Sequence, residues 1–277
     1  MKFADVIRLI CAKVLCRQTV LFSRKNDWEP HIKEVVTLQS RFFVAFFYDF
    51  NEVRPGHFDL IVPITIPAHK YLNDNFHHLN GRKALIPSNR SIDLCDDKER
   101  FAQFLMDSGF SDFVPPINAE FSYPYILKKK IGNWGEDITV ITDAQCELSN
   151  IQDLKSRDFF TQEYIEGHDE YTTHIIFNKD IVFYKTIKFT YSDRFFVKGQ
   201  NYKHTAKEVV DHGCYKELFE KILNKLGYRG ICCFNYKLDN GIVKIFEVNP
   251  RYGGSMTYFL NEALLSYRQA LSVPQRV

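Results

Sequence analysis

Apolar and polar positions alternate in blocks through the first third of the chain. Thr19 to Ser23 is a short apolar run that predicts a strand. Residues 29–40 predict a helix opened by Pro30. Phe42 to Tyr48 is apolar and aromatic enough for a buried strand, and Asp59 to Ile64 predicts another that ends in a Pro-containing loop. Ala68 to Leu79 predicts a helix, and Lys83 to Pro87 a short strand. Strands that alternate with helices in this way imply a small parallel α/β layer. Ahead of it, Phe3, Val6, Ile7 and Ile10 fall at helical spacing, which predicts an amphipathic helix docked on the body through that face.

A boundary is expected near residues 88–97. Asp96, with Glu99 three residues on, reads as the capping box of a helix whose apolar stripe is Phe101, Phe104 and Leu105. Gly109 stops it and Pro115-Pro116 breaks the chain. A β-rich stretch then begins at Phe121 to Lys128 and leads into a loop with Gly132 and Gly135. Thr161 to Ile165, Tyr171 to Phe177 and Ile181 to Phe189 predict strands. Residues 205–226 predict one long helix, with Tyr215, Leu218, Phe219 and Ile222 on one face and Gly227 past its end. Ile231 to Leu238 and Ile242 to Asn249 predict a hairpin around Asp239-Asn240-Gly241, and residues 256–277 leave room for one closing helix.

Composition narrows the class without naming an activity. Apolar residues make up 45% of the chain and charged residues 25%, as in ordinary globular proteins. A net charge of +2 is too small to make nucleic acid or an anionic membrane the expected partner. The 25 Phe and 15 Tyr are read as core. Seven scattered Cys without a CxxC pair indicate neither a zinc site nor a disulfide framework, and reduced thiols fit a cytoplasmic protein. Asp5 and Arg8 interrupt the apolar N-terminus, so it makes no clean signal, and no run reaches the ~18 residues of a membrane span. His77-His78 diverge by about 100° on a helix; they are read as surface or partly packed, and His168 and His174 have no matching ligand cluster.

Candidate chemistry concentrates in Ile245 to Ser255. Glu247 and Asn249 lie two apart on a strand, so both side chains share a face. A carboxylate and an amide oxygen are hard ligands suited to Mg²⁺ held with nucleotide phosphates. Arg251, just past Pro250, is placed to meet a developing phosphoryl charge. Gly253-Gly254 lets backbone approach a ligand closely. An ordinary strand end with a surface Glu would look much the same, so the neighbouring strand matters. If Asp239-Asn240-Gly241 is a three-residue loop, Asn235 opposes residue 245 and shares the face of Glu247. A two-residue Asn240-Gly241 turn would pair it with 246 and put it on the wrong side. Lys128 ends an apolar strand beside the Gly132 to Gly135 loop, a setting suited to gripping phosphates; Lys129 and Lys130 read as a solvated basic run. Gln162-Glu163-Tyr164-Ile165 can offer backbone groups to an adenine edge, and the acids after Gly167 can accept from ribose hydroxyls.

In this order, these segments resemble the ATP-grasp superfamily over about residues 95–257. Glu-Val-Asn-Pro-Arg at 247–251 carries the resemblance most specifically. It implies a small N-terminal α/β domain (1–95), a small lobe with a Gly-containing phosphate loop (96–160) and a C-terminal lobe with the metal-binding strands (161–277), an α/β and α+β fold. It implies Lys98 and Lys128 as nucleotide-contacting lysines and a hinge at Gln162, Glu163, Tyr164 and Ile165 working largely through backbone. It leaves Asp169 or Glu170 as the ribose acid. Glu247 and Asn249 match the metal ligands. Asn235 stands where relatives are commonly acidic, which puts one metal site in question. Lys188 resembles a basic residue that meets phosphate or substrate, and Arg251 the one that steadies an acyl phosphate. The implied activity is an ADP-forming ligase that joins a small-molecule carboxylate to an amine, using ATP with Mg²⁺ or Mn²⁺, while the Gly132 to Gly135 loop closes over the phosphates. A phosphotransferase, a carbamoyl-phosphate-type activator and a nucleotide-binding module without turnover are the alternatives. A homo-oligomer stays open.

Overall fold

The computed structural model describes residues 1–132, 138–198 and 202–272. Helix α1 (Phe3–Val14) leads into strand β1 (Gln18–Phe22). Helix α2 (Glu29–Lys33) continues as a wider turn over Glu34–Leu38. Strands β2 (Phe43–Phe47) and β3 (Leu60–Val62) follow, then helix α3 (Ile66–Phe76). The three strands make a parallel sheet in the order β2-β1-β3. Its side chains alternate between two apolar layers. Val20, Phe22, Phe43, Ala45, Leu60 and Val62 enter one, and Leu21, Val44, Phe46 and Ile61 the other. A parallel sheet buried on both faces needs such unbroken apolar runs. Expected residues 83–87 form no strand; they are held by an isolated bridge, Asn80 to Ala84, and by Ile61 N donating to the Lys83 carbonyl at 2.8 Å.

Helix α1 docks, but of the face expected only Val6 takes part. Val6, Leu9 and Ala12 turn inward, whereas Phe3, Ile7 and Ile10 face out. Two adjacent apolar stripes fit the same helical period, and only the shape of the sheet beneath selects one. Residues 88–97 hold a further helix, α4 (Asn89–Asp96), capped by Ser88, whose Oγ accepts from Ser91 N at 3.1 Å. Asp96 is therefore its last residue. Asp97 caps the next helix, α5 (Lys98–Leu105), by accepting from Arg100 N at 3.0 Å.

A small antiparallel sheet follows: β4 (Tyr125–Lys129), β5 (Ile138–Ile141), helices α6 (Ala144–Ser149) and α7 (Ile151–Leu154), then β6 (Phe159–Glu163), in the order β5-β4-β6. The larger antiparallel sheet is built from β7 (Asp169–Asn178), β8 (Asp180–Thr190), β9 (Ala206–Val210), helix α8 (Lys216–Lys225), β10 (Gly230–Asp239) and β11 (Ile242–Asn249), with strand order β11-β10-β7-β8-β9. The expected 205–226 helix is thus an edge strand plus a shorter helix. Ala206 to Val210 pairs with Thr190 to Thr186, and only Lys216 onward carries the apolar helical stripe. The apolar side of α8 (Phe219, Ile222, Leu223) and of α5 (Phe101, Ala102, Leu105) covers one face of this sheet, against Phe234, Tyr236, Ile245 and Val248.

Helix α9 (Leu260–Ser272) joins the parallel sheet to the large one. Leu260, Ala263, Leu264, Tyr267 and Ala270 share a core with Val20, Leu60, Ile176 and Phe183. The fully buried Tyr267 hydroxyl accepts from Leu85 N at 2.6 Å and donates to the Ile61 carbonyl at 2.9 Å. Tyr267→Phe removes that bridge and leaves both buried backbone groups short of a partner. It is expected to cost about 1–3 kcal/mol, measured as a lower urea midpoint at unchanged slope.

Candidate functional site

A cavity of about 670 Å³ opens between the small and the large antiparallel sheets. Its floor is the uncovered face of β10 and β11. Asp239 pairs with Ile242 across a two-residue turn in which Asn240 and Gly241 both have positive φ, 49° and 83°. Asn-Gly is the pair that adopts such a turn with least strain. The three-residue loop is therefore not what forms, and 245 faces Tyr236 rather than Asn235. Left uninterrupted, that register would turn Asn235 away from Glu247. A bulge corrects it. Phe246 is the extra residue between the pairs Tyr236 with Ile245 and Asn235 with Glu247. Asn235 then stands directly beside Glu247, and Lys237, two residues on, reaches the same face.

Glu247 is the centre of one end of the cavity. Its Oε1 accepts from Asn235 Nδ2 at 2.7 Å and from Asn249 Nδ2 at 2.9 Å, and Lys98 Nζ lies 4.0 Å from Oε2. Burial works against its charge. The ammoniums of Lys98 and Lys128 and the two amide donors outweigh burial and hold the carboxyl down at about 2. Lys128 comes from β4 on the opposite sheet. Its Nζ is 3.3 Å from the Phe246 carbonyl freed by the bulge and 3.4 Å from Gln162 Oε1. Burial, with help from Lys98 and opposed by Glu247 and Glu170, pushes its pKa down to about 8. Lys98 also donates to the Gly132 carbonyl at 2.8 Å. Arg251 donates to Asn249 Oδ1 and to the Tyr252 carbonyl, each at 3.1 Å. Carboxylate, amides, guanidinium and both lysines thus meet in one place.

The other end is walled by Gln162 to Ile165. Gln162 is buried at the cavity wall, and its Nε2 has no partner among the described residues. This side chain adds to a hinge expected to work through backbone. Tyr164 is pinned from behind, its hydroxyl donating to the Arg194 carbonyl at 2.6 Å and accepting from Phe196 N at 3.1 Å. Lys237 Nζ donates to the Ile165 carbonyl at 2.9 Å and the Gly167 carbonyl at 3.3 Å, and burial pulls its pKa down to about 8 against the pull of Glu170 and Glu166. Strand alternation separates the two candidate ribose acids. Glu170 lines the cavity and pairs with Lys198 at 3.3 Å; Asp169 turns away and accepts from Thr190 Oγ1 at 2.6 Å.

Lys188 is not brought to this group. It sits opposite Tyr171 on the far face of the large sheet and pairs with Glu208. Gly135 lies outside the described residues, as does most of the expected phosphate loop. Gly253 and Gly254 both line the cavity, as a close backbone approach would require, and neighbouring side chains leave little room for a Cβ on either. A Cβ on Gly253 would come within 2.8 Å of the buried His174 ring and 3.0 Å of Cys233 Sγ, and one on Gly254 within 3.2 Å of the Trp28 ring. Lys198 and Lys237 went unread in the sequence. The alternation Cys233, Asn235, Lys237 along β10 carries a signal for the second; Lys198 comes from a loop and carries none.

The donor chemistry fits a hard divalent cation. Glu247 is ionised, and the amide oxygens of Asn235 and Asn249 could complete a set of hard oxygens with phosphate oxygens supplying the rest. Both amides now turn nitrogen toward Glu247, so each would rotate to present its oxygen. Among the described residues no group of three His, Cys, Asp or Glu could hold a metal without such help. Nor is any described helix long and apolar enough to cross a membrane.

Comparison with known proteins gives the same picture. D-alanine–D-alanine ligase from Bacillus anthracis, solved with ATP, superimposes with a TM-score of 0.60 at 16% identity, over 92% of this chain and 94% of that one. L-amino acid ligase from Bacillus licheniformis gives 0.59 at 17%, over 92% and 74%. At such identity these likenesses establish a shared fold. In sequence, the arginine-specific carbamoyl phosphate synthase large chain of Bacillus subtilis (strain 168) is 25% identical over 189 residues, 62% of this chain. The chain spans only 18% of that relative's length. The family model described as ATP-grasp domain matches residues 95–255, which is more than half of the chain and takes in both walls of the cavity. The chain belongs to the ATP-grasp superfamily.

Proposed function

We propose that this protein is an ADP-forming ligase that activates a carboxylate as an acyl phosphate and passes it to an amine. The observation that carries this reading is the meeting of Glu247, Asn249 and Arg251 from one sheet with Lys128 from the other, across a cavity walled at its far end by Gln162 to Ile165. The adenine would lie against that far wall, where the unpartnered Gln162 Nε2 offers a donor. Glu170 and Lys198 border the space between, where a ribose would sit, and the phosphates would point toward Lys98 and Lys128.

The chemistry then runs in two displacements. A substrate carboxylate oxygen attacks the γ-phosphorus, the bond to the β,γ-bridging oxygen breaks, and ADP leaves. The amine nitrogen attacks the acyl carbon, phosphate departs with the electron pair of the acyl–oxygen bond, and the amine loses a proton. Charge grows on phosphate oxygens in the first step, and Lys98, Lys128 and Arg251 are fixed beforehand to meet it, which avoids reorganisation at the moment of reaction. A divalent cation such as Mg²⁺, held by Glu247 with Asn249 and Asn235, would neutralise phosphate charge when bound. Because Asn235 is an amide, only Glu247 brings formal negative charge to that cluster, and the phosphates must supply the rest.

The resemblance to a carbamoyl phosphate synthase large chain favours one second reading, in which the carboxylate is bicarbonate or carbamate. The two separate in one experiment. ADP release is followed with MgATP across panels of carboxylic acids and amines, with bicarbonate alone as a further arm, and products are identified by mass. A ligase requires one acid and one amine together and yields an amide. Protein that binds MgATP but releases ADP with no combination would end the proposal. Glu247→Gln is expected to lower ADP release by ~10²–10³-fold, with the circular dichroism spectrum unchanged.

The low pKa of Lys128, about 8, sets a pH dependence. Phosphate contact favours its charged form, so ATP binding takes up a proton above that value. Affinity should therefore fall as pH rises past 8, by at most about tenfold per unit. Titration calorimetry in buffers of differing ionisation heat reads the proton uptake, and Lys128→Gln should bind more weakly and lose the slope.

A further inference from the structure

A second cavity of about 340 Å³ lies between the loop after β3, the end of α4 and the strand end at Arg251. Gly132 and Arg251 line both cavities, so the two meet where the phosphates are expected. Its charged groups are Lys25, Arg251 and Asp96, and its remaining wall is apolar, chiefly Ile64, Ile66, Pro67 and Ile131.

Two of these charges lack a counterpart. Arg251 donates only to an amide oxygen and a backbone carbonyl and has no carboxylate partner among the described residues. Asp96 is partly buried, yet among the described residues no donor reaches its carboxylate and no cation lies within 4 Å. Lys98, Lys70 and Arg251 act on it only from farther away, and burial outweighs them to raise its pKa. Lys70 is committed to Asp93 at 2.6 Å, and Lys98 to Gly132 and Glu247. A half-buried carboxylate without a partner costs stability unless a cation arrives to meet it. No capping duty explains it either, since Asp97 caps α5.

We infer that the carboxylate substrate of this ligase is an amino acid with an apolar side chain, its carboxylate against Arg251 and its ammonium on Asp96. This rests on the ligase reading. Arg251 stands at the junction of the two cavities, so a carboxylate beside it faces the γ-phosphate position, as the first displacement requires. Asp96 supplies the opposite charge on the wall beyond, and Ile64, Ile66, Pro67 and Ile131 give the side chain an apolar wall, with Lys25 at its edge already paired with Asp27 at 3.5 Å. The Asp96 carboxylate is a positioning and recognition group and takes no part in bond making.

The test compares alanine with propanoate and valine with 3-methylbutanoate, both enantiomers of each amino acid, with MgATP and hydroxylamine as the nucleophile. Hydroxylamine captures an acyl phosphate as a hydroxamate, so the natural amine need not be known. The wild-type protein should show kcat/KM at least about tenfold higher for the amino acid of each pair. Asp96→Asn should close that ratio while KM for ATP stays within about twofold, a pattern that a purely structural role, which would shift both substrates and ATP alike, does not produce. Asp96→Ser serves if the first variant does not fold, and the wild-type comparison needs no variant. Equal turnover of the amino and des-amino acids overturns the inference and leaves the ligase standing, as does an unchanged ratio in the variants. Hydroxamate from none of these acids, nor from any acid of the wider panel, sinks the ligase reading itself.

Discussion

A half-buried carboxylate at position 247 keeps its charge because two ammonium groups and two amide donors surround it. Lys98 reaches it from the start of α5 and Lys128 from the opposite sheet, and amides from Asn235 and Asn249 complete its shell. The cluster is only partly open to water, so each charge depends on the others. The same desolvation that would protonate Glu247 also lowers the pKa of Lys128. These groups are therefore poised for a polyanion: phosphates would relieve the lysines, and a cation would relieve the carboxylate.

That arrangement depends on backbone details of the β10–β11 hairpin. The Asn240-Gly241 turn sets a register that would misdirect Asn235, and the bulge at Phe246 reverses the error. The bulge also turns the Phe246 carbonyl toward Lys128, which ties the two sheets together across the cavity. One inserted residue thus aligns three side chains and supplies a contact between lobes. His174 and Cys233 pack so closely against Gly253 that a side chain there would displace the segment carrying Arg251. The glycines after Arg251 line the cavity and also permit this packing.

The N-terminal layer takes part as well. It supplies Lys25, Ile64, Ile66 and Pro67 to the smaller cavity and is held to the large sheet by α9 through Tyr267. The phosphate end is therefore reached from two sides, by a nucleotide cavity between the antiparallel sheets and by a smaller one against the parallel sheet. Under the proposed reading, a substrate and a nucleotide entering separately would meet at Arg251, which with Gly132 lines both cavities.

The family, the parallel opening layer and most strands were legible in the residue pattern alone, as were Glu247, Asn249, Arg251 and Lys128 as residues to be looked for together. Local periods and the Glu-Val-Asn-Pro-Arg run suffice for these, because a strand's two-residue period commits its side chains to a face wherever the strand sits. The remaining features depend on neighbours distant in the chain. The inward stripe of α1 was chosen by the sheet beneath it, and residues 206–210 became a strand because β8 offered a free edge. Lys188 and Lys198 exchanged expected prominence for the same reason: sheet parity sent the first to the far face, and a loop with no period of its own carried the second to Glu170. The bulge that rescues Asn235 leaves no mark in composition or spacing, since an unpaired residue exists only relative to its partner strand.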